Sequence, residues 1–175
     1  VHKITIVSRG RAGGYVMPLP TSDTMLRTKE QFEDDITAAM GGRAAEELVF
    51  NQLTTGASND LMQATRMARA MVTQFGMSDK LGPRAYGANS GPIFLGRDMG
   101  EVRDYSEQYA EEIDNEVKRI LQTGYQRARN LLSENRQRME QLVEILMERE
   151  TLDSAEFVEI MEGTHPGLQP APSAE

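Results

Sequence analysis

At 175 residues the chain is long enough for a buried core, and a composition with 39% hydrophobic residues, eleven Met and no Trp favours helices over a sandwich or barrel. A formal charge of −8 argues against a general nucleic-acid binder, which needs an excess of Lys and Arg on one face. The absence of cysteine excludes disulfides, thiolate zinc sites and cysteine nucleophiles, and no run approaches the ~20 apolar residues of a membrane span.

The opening Val1-His2-Lys3 has no initiator Met and leads at once into a β-branched strand at Ile4, Thr5, Ile6 and Val7, so the chain reads as a segment of a longer protein. A Gly-rich connection over residues 8–14 and a second strand at Tyr15, Val16 and Met17 complete a small hairpin, which Pro18 and Pro20 stop. Thr28 with Gln31 forms a capping-box pattern, and Phe32, Ile36, Met40, Ala44 and Leu48 recur at four-residue steps, predicting one helix over residues 29–51. The Gly41-Gly42 pair inside it costs about 1 kcal/mol per glycine relative to Ala, so another helix or backbone is expected to pack closely there. A loop over residues 52–58 precedes a second helix capped by Ser58 or Asn59, with Leu61, Ala64, Met67, Ala68, Met71, Val72 and Phe75 on its apolar stripe and Gly76 at its end.

Residues 78–100 are glycine-rich and lack helical periodicity, which predicts a long irregular loop with a strand fragment at Ile93, Phe94 and Leu95. From residue 101 a charged, periodic helix follows, with Tyr105, Tyr109, Ile113, Val117, Ile120, Tyr125 and Ala128 on one face. A break at Ser133-Glu134-Asn135 separates it from a helix ending near Glu150. Thr151-Leu152-Asp153 caps a last short helix containing Phe157, Val158 and Met161, and residues 163–175 read as a disordered tail. The fold class is mainly α, with a small N-terminal β-hairpin and long C-terminal helices.

The chemistry that the residues offer is sparse. The two histidines, His2 and His165, lie at opposite ends of the sequence, whereas a catalytic zinc takes three protein ligands and a water. Serine nucleophiles find no histidine partner in a structured region. The glycines between the two strands lack both the Gly-Lys-Ser/Thr ending and the following helix of a phosphate cradle. Glu46 and Glu47 are adjacent, so at 100° per residue they face different directions, and a solvated face is the simpler reading. Asp60 sits where a carboxylate favours a helix start through the dipole.

Three ordered strings go further: Gly41-Gly42-Arg43-Ala44-Ala45-Glu46-Glu47, then Thr54-Thr55-Gly56-Ala57-Ser58-Asn59-Asp60-Leu61, then residues 71–83 with Gln74-Phe75-Gly76-Met77-Ser78. Together with Arg9-Gly10-Arg11-Ala12, Met17-Pro18-Leu19-Pro20 and Phe94-Leu95-Gly96-Arg97 they resemble the FtsH family of ATP-dependent zinc metalloproteases, over residues 1 to about 162. The resemblance implies a peptidase domain over residues 1–162, truncated at its N-terminus. The family's His-Glu-x-x-His zinc helix is expected shortly before Val1. By the same resemblance Asp60 is the third zinc ligand, and Glu46, with Glu47 as competitor, orients a ligand histidine. Ile4, Thr5, Ile6 and Val7 form the edge on which an extended substrate adds as a further strand.

What the family also implies is a homohexamer anchored in a bacterial inner membrane or an organelle membrane, its protease side facing the cytoplasm in bacteria. An ATPase ring there unfolds proteins and feeds them to the proteases. ATP, magnesium and membrane anchoring would belong to segments absent from this sequence, and the 175 residues alone are expected to cut nothing. Two other readings fit the helical pattern: a non-catalytic assembly module, and a pseudo-protease subunit that keeps the scaffold without the metal motif.

Overall fold

The computed structural model describes residues 1–8, 13–17, 26–87 and 105–166. The chain divides into two compact units, residues 26–133 and residues 1–25 with 134–175. The expected strand fragment at 93–95 and most of the expected tail lie outside the described residues.

The helical unit starts with α1, Lys29–Ala39, whose capping box is the one read from the sequence: Thr28 Oγ1 accepts from the Gln31 amide at 3.2 Å, and Gln31 Oε1 accepts from the Thr28 amide at 2.9 Å. The predicted single helix over 29–51 is instead two. Met40 departs to φ −78°, ψ −10°, and α2 runs Gly41–Phe50. A Cβ built on Gly41 or Gly42 would meet nothing within 4 Å, so the close approach expected there is absent. The glycine pair instead marks a break of the kind that low helix propensity permits. Asn51 ends α2 in the left-handed region, at φ 50°, ψ 33°, a conformation that Asn tolerates better than most residues.

Helix α3, Ser58–Thr73, begins one residue earlier than a Ser58 cap and two earlier than an Asn59 cap would allow, with Ala57 at the cap position and no side-chain cap. It ends at Thr73, and Gly76 (φ 59°) turns the chain just beyond it. Phe75 stacks on Phe32 of α1 with ring centroids 5.4 Å apart. Helix α4, Glu107–Glu134, lays Ile113, Val117, Ile120 and Ala128 into the same core as Ile36, Met40, Ala64, Ala68, Met71 and Val72. Where α4 meets α1 there is no room for a side chain: a Cβ on Gly124 would stand 2.8 Å from Ile36 Cγ2.

Part of the long irregular stretch is firmly tied. Ser78 Oγ donates to the buried carboxylate of Glu116 at 3.0 Å and accepts from the Leu81 amide at 3.2 Å, while Arg119 donates to both Glu116 oxygens at 2.8 and 2.9 Å. Tyr86, also buried, bonds through its hydroxyl to the Leu81 carbonyl and through its amide to the Thr73 carbonyl. Arg119, followed by the Ser78 hydroxyl, holds the Glu116 carboxyl below the ordinary 4.5 of a glutamate, against the opposing effect of burial.

The second unit is a three-stranded antiparallel sheet with two helices. Strand β1, Lys3–Thr5, pairs with β2, Tyr15–Met17, as the predicted hairpin. After α5, Arg136–Arg149, the chain forms a further strand, β3, Thr151–Asp153, which pairs with the other side of β1 in register Ile4 to Leu152. Strand order is therefore β2-β1-β3. Asp153 then caps α6, Ser154–Glu162, through a capping box with Glu156. Ile4, Ile145, Leu146, Leu152 and Ile160 make this unit's core. Residues 163–165 are not tail: Gly163 takes the left-handed cap conformation at φ 78°, and the amides of Thr164 and His165 bond back to the Glu159 carbonyl.

Two stability measurements test these contacts. Gly124→Val forces a β-branched side chain against Ile36 and is expected to lower unfolding stability by about 2 kcal/mol in urea denaturation; an unchanged midpoint would show that the crossing yields freely. Glu116→Gln removes charge-assisted hydrogen bonds and is expected to cost about 2 kcal/mol at neutral pH. Because the folded-state pKa is depressed, that stabilisation is present above pH 4.5 and is lost as pH falls through the folded value. The gap between wild type and variant should therefore narrow on acidification, and a gap that widens would contradict the ion-pair account.

Candidate functional site

Asp60 is the third residue of α3, half-buried, and its carboxylate has no hydrogen-bond or ion-pair partner among the described residues. A carboxylate in a first helical turn is favoured by the exposed amides and dipole there. Being uncommitted elsewhere, it is a hard oxygen donor available to an external group.

The segment that delivers Asp60 is held by Glu46. This glutamate lies on α2, and both its oxygens accept from one residue: Oε2 from the Thr54 amide at 3.0 Å and Oε1 from the Thr54 hydroxyl at 2.6 Å. The same hydroxyl oxygen accepts from the Gly56 amide at 3.0 Å. The Ser58 amide then bonds to the Thr55 carbonyl and the Leu61 amide to the Ala57 carbonyl, which starts α3. The Thr54 hydroxyl, followed by its amide, lowers the Glu46 pKa from the ordinary 4.5. Gly56 lies close to both: a Cβ there would stand 3.2 Å from Thr54 Oγ1 and 3.3 Å from Glu46 Oε1.

Glu46 thus accepts one hydrogen bond from Thr54 at each carboxylate oxygen, and each oxygen keeps a further lone pair for another donor such as the histidine that the resemblance implied. Glu47 points elsewhere, as helical spacing required, towards Arg129 of α4 at 3.9 Å. The strand expected to be a free edge is not one. Over Lys3–Thr5 both sides of β1 are paired. The Ile6 amide bonds to the Glu150 carbonyl, and the Val7 amide bonds to the Thr5 hydroxyl. With Ile4 and Thr5 enclosed between two strands, an incoming chain cannot add beside them. Sequence reading missed this because β3 is only three residues long, with a single buried apolar side chain, and carries no visible alternation.

Among the described residues no group of three or more His, Asp or Glu side chains is close enough to hold a metal. Asp60 has the chemistry of a metal ligand, a carboxylate whose oxygens bond to none of the described residues. The sequence missed Thr54, whose signal was the hydroxyl and glycine pair immediately ahead of a helix start.

The sequence pattern of peptidase family M41 matches residues 1–160. This chain belongs to that family. It is 48% identical over 163 residues to the ATP-dependent zinc metalloprotease FtsH 1 of Thermoanaerobacter sp. (strain X514), an alignment covering 93% of this chain and 27% of the relative. To FtsH 2 of Petrotoga mobilis it is 50% identical over 163 residues, 93% of this chain and 26% of the relative. To the FtsH of Bacillus subtilis (strain 168) it is 47% identical over 168 residues, 95% and 26%. The chain thus spans about a quarter of the length of these curated relatives. The M41 match starts at the first residue and runs through the strands and helices of both units.

A carboxyl-carbon NMR titration tests the Glu46 contacts. Glu46 is expected to titrate below 4.5 in the wild type and to move upward in Thr54→Val, which removes the hydroxyl donor named first among the causes. An unmoved Glu46 titration in that variant would show that the hydroxyl does not hold the carboxylate.

Proposed function

We propose that this chain contributes the third ligand, Asp60, and the surrounding scaffold to an ATP-dependent zinc metalloendopeptidase. The observation that carries the reading is the near-half identity to proteins named as such over more than nine-tenths of the chain. Asp60 supports it locally, as an unpartnered carboxylate set at a helix start. Zinc, when bound in such a site, lowers the pKa of a water towards ~7 and polarises the peptide carbonyl. This chain's own part is to present an oxygen donor from a rigid helix end and to keep the loop ahead of it in one conformation.

Substrate binding by strand addition remains physically sound once the edge is reassigned. The side of β2 away from β1 has no partner among the described residues, and Val16 and Met17 on it are exposed. An extended, unfolded polypeptide gains main-chain hydrogen bonds there with little demand on its sequence, which suits a protease that degrades unfolded and membrane proteins. The complete protein would act as a homohexamer anchored in a bacterial inner membrane with this domain on the cytoplasmic side. ATP-driven unfolding would come from other segments. No helix among the described residues is long and apolar enough to cross a membrane.

In the full-length gene product, Asp60→Asn is expected to abolish zinc-dependent casein cleavage and to lower bound zinc, read by metal analysis after dialysis. Full activity with full zinc content would remove Asp60 from the site. The 175-residue chain by itself is expected to leave casein intact, and zinc-dependent cleavage by it would overturn the assignment of the other ligands to residues outside it.

A further inference from the structure

We infer that Thr54 is a positioning residue for the zinc ligand Asp60, acting as the middle of a relay from the Glu46 carboxylate to the Gly56 amide. The inference rests on the proposed role of Asp60 and goes beyond it, because it assigns the geometry of the ligand to a hydroxyl six residues upstream. Helix α3 has no side-chain cap, the cap position being Ala57; its start is held by the Ser58 and Leu61 amides bonding to the Thr55 and Ala57 carbonyls, by the burial of Ala57 and by the loop ahead of it. That loop is fastened from α2. Glu46 on α2 takes the Thr54 amide and hydroxyl together, at 3.0 and 2.6 Å, so Thr54 is gripped at two points and cannot rotate freely about χ1. The hydroxyl then spends its donor on Glu46 and offers a lone pair to the Gly56 amide at 3.0 Å, which sets the backbone one residue before Ala57.

The three groups form a directional set: carboxylate accepts, hydroxyl donates and accepts, amide donates. A valine in place of Thr54 keeps the shape and breaks both hydroxyl links. A serine keeps both. A side chain at 56 would press its Cβ on Thr54 Oγ1 and Glu46 Oε1 and push both by a few tenths of an ångström. Thr54 and Gly56 are exposed and Glu46 is half-buried, so little core packing is at stake. The geometry of the helix start, rather than stability, is what loss of the relay should disturb. Partners that orient a metal ligand typically change metal affinity by about 10–100-fold when removed.

The test is zinc retention against a competing chelator in the full-length gene product, with thermal unfolding measured alongside. Thr54→Val is expected to weaken retention by about tenfold or more. Thr54→Ser should restore it to near the wild-type value, and the Glu46→Gln/Thr54→Val double variant should be no weaker than the poorer single variant, since both cut one relay. Retained zinc in Thr54→Val, or zinc lost equally in Thr54→Ser, overturns the inference. Asp60→Asn separates the two readings. If it loses zinc while Thr54→Val keeps it, Asp60 stands as ligand and the relay falls; if Asp60→Asn keeps zinc, both fall. Should Thr54→Val unfold, Glu46→Gln decides: weakened zinc with unchanged unfolding supports the relay, and undiminished zinc overturns it.

Discussion

The helical unit depends on the absence of a side chain at residue 124. With hydrogen alone at that position, the α4 backbone comes down onto Ile36, and the fully buried Ile36 can in turn join Ala64, Ala68 and Met71 in one core. Small residues on α3 continue the same logic, since Ala64 and Ala68 let helices approach where larger side chains would hold them apart. Helix α3 packs through Ala64, Ala68, Met71 and Val72 into the same core. Ion pairs such as Arg127 with Asp34 at 2.6 Å lie across the same crossing, but they are half-exposed, and pairs of that kind contribute well under the packing they decorate.

Two carboxylates show how little spacing reveals about charge. On sequence Glu46 reads as a solvated face or, by resemblance, as the residue that orients a histidine, and nothing singles out Glu116. In the structure each accepts from a hydroxyl in a neighbouring loop: Glu46 from Thr54, Glu116 from Ser78. The difference is solvent. Glu116 is buried and needs the Arg119 guanidinium beside it to remain charged, since an unpaired buried charge is strongly disfavoured. Glu46 has access to water, and Thr54 alone suffices. One carboxylate fastens a loop to α4; the other fastens the approach to Asp60.

The legible parts of the molecule were those with long period or a local chemical signature. Four-residue apolar steps gave α1, α3 and α4, and the Thr28–Gln31 box gave a helix start to the residue. The acid in the first turn of α3 was placed correctly by the helix dipole. What escaped was non-local. The break at Met40 lies inside an unbroken apolar stripe, because the periodicity of Phe32, Ile36, Met40 and Ala44 is the same whether one helix carries it or two. The β3 strand exists only through its pairing with a segment about 145 residues earlier, and no window of sequence around Leu152 contains that information. The Glu46–Thr54 link joins residues eight apart across a turn, outside the reach of any helical or strand template.

That same pairing has a consequence for how the protein is made. Residues 3–5 leave the ribosome well before their second neighbour in the sheet, residues 151–153. The helical unit is threaded between the two halves and can reach its own core while the sheet is still missing a strand. Until residues 151–153 have been made, β1 carries an open row of amides and carbonyls, the kind of template on which another nascent chain could pair. A polypeptide released early, anywhere between residues 134 and 150, would keep its helical unit whole and still expose that unfinished edge.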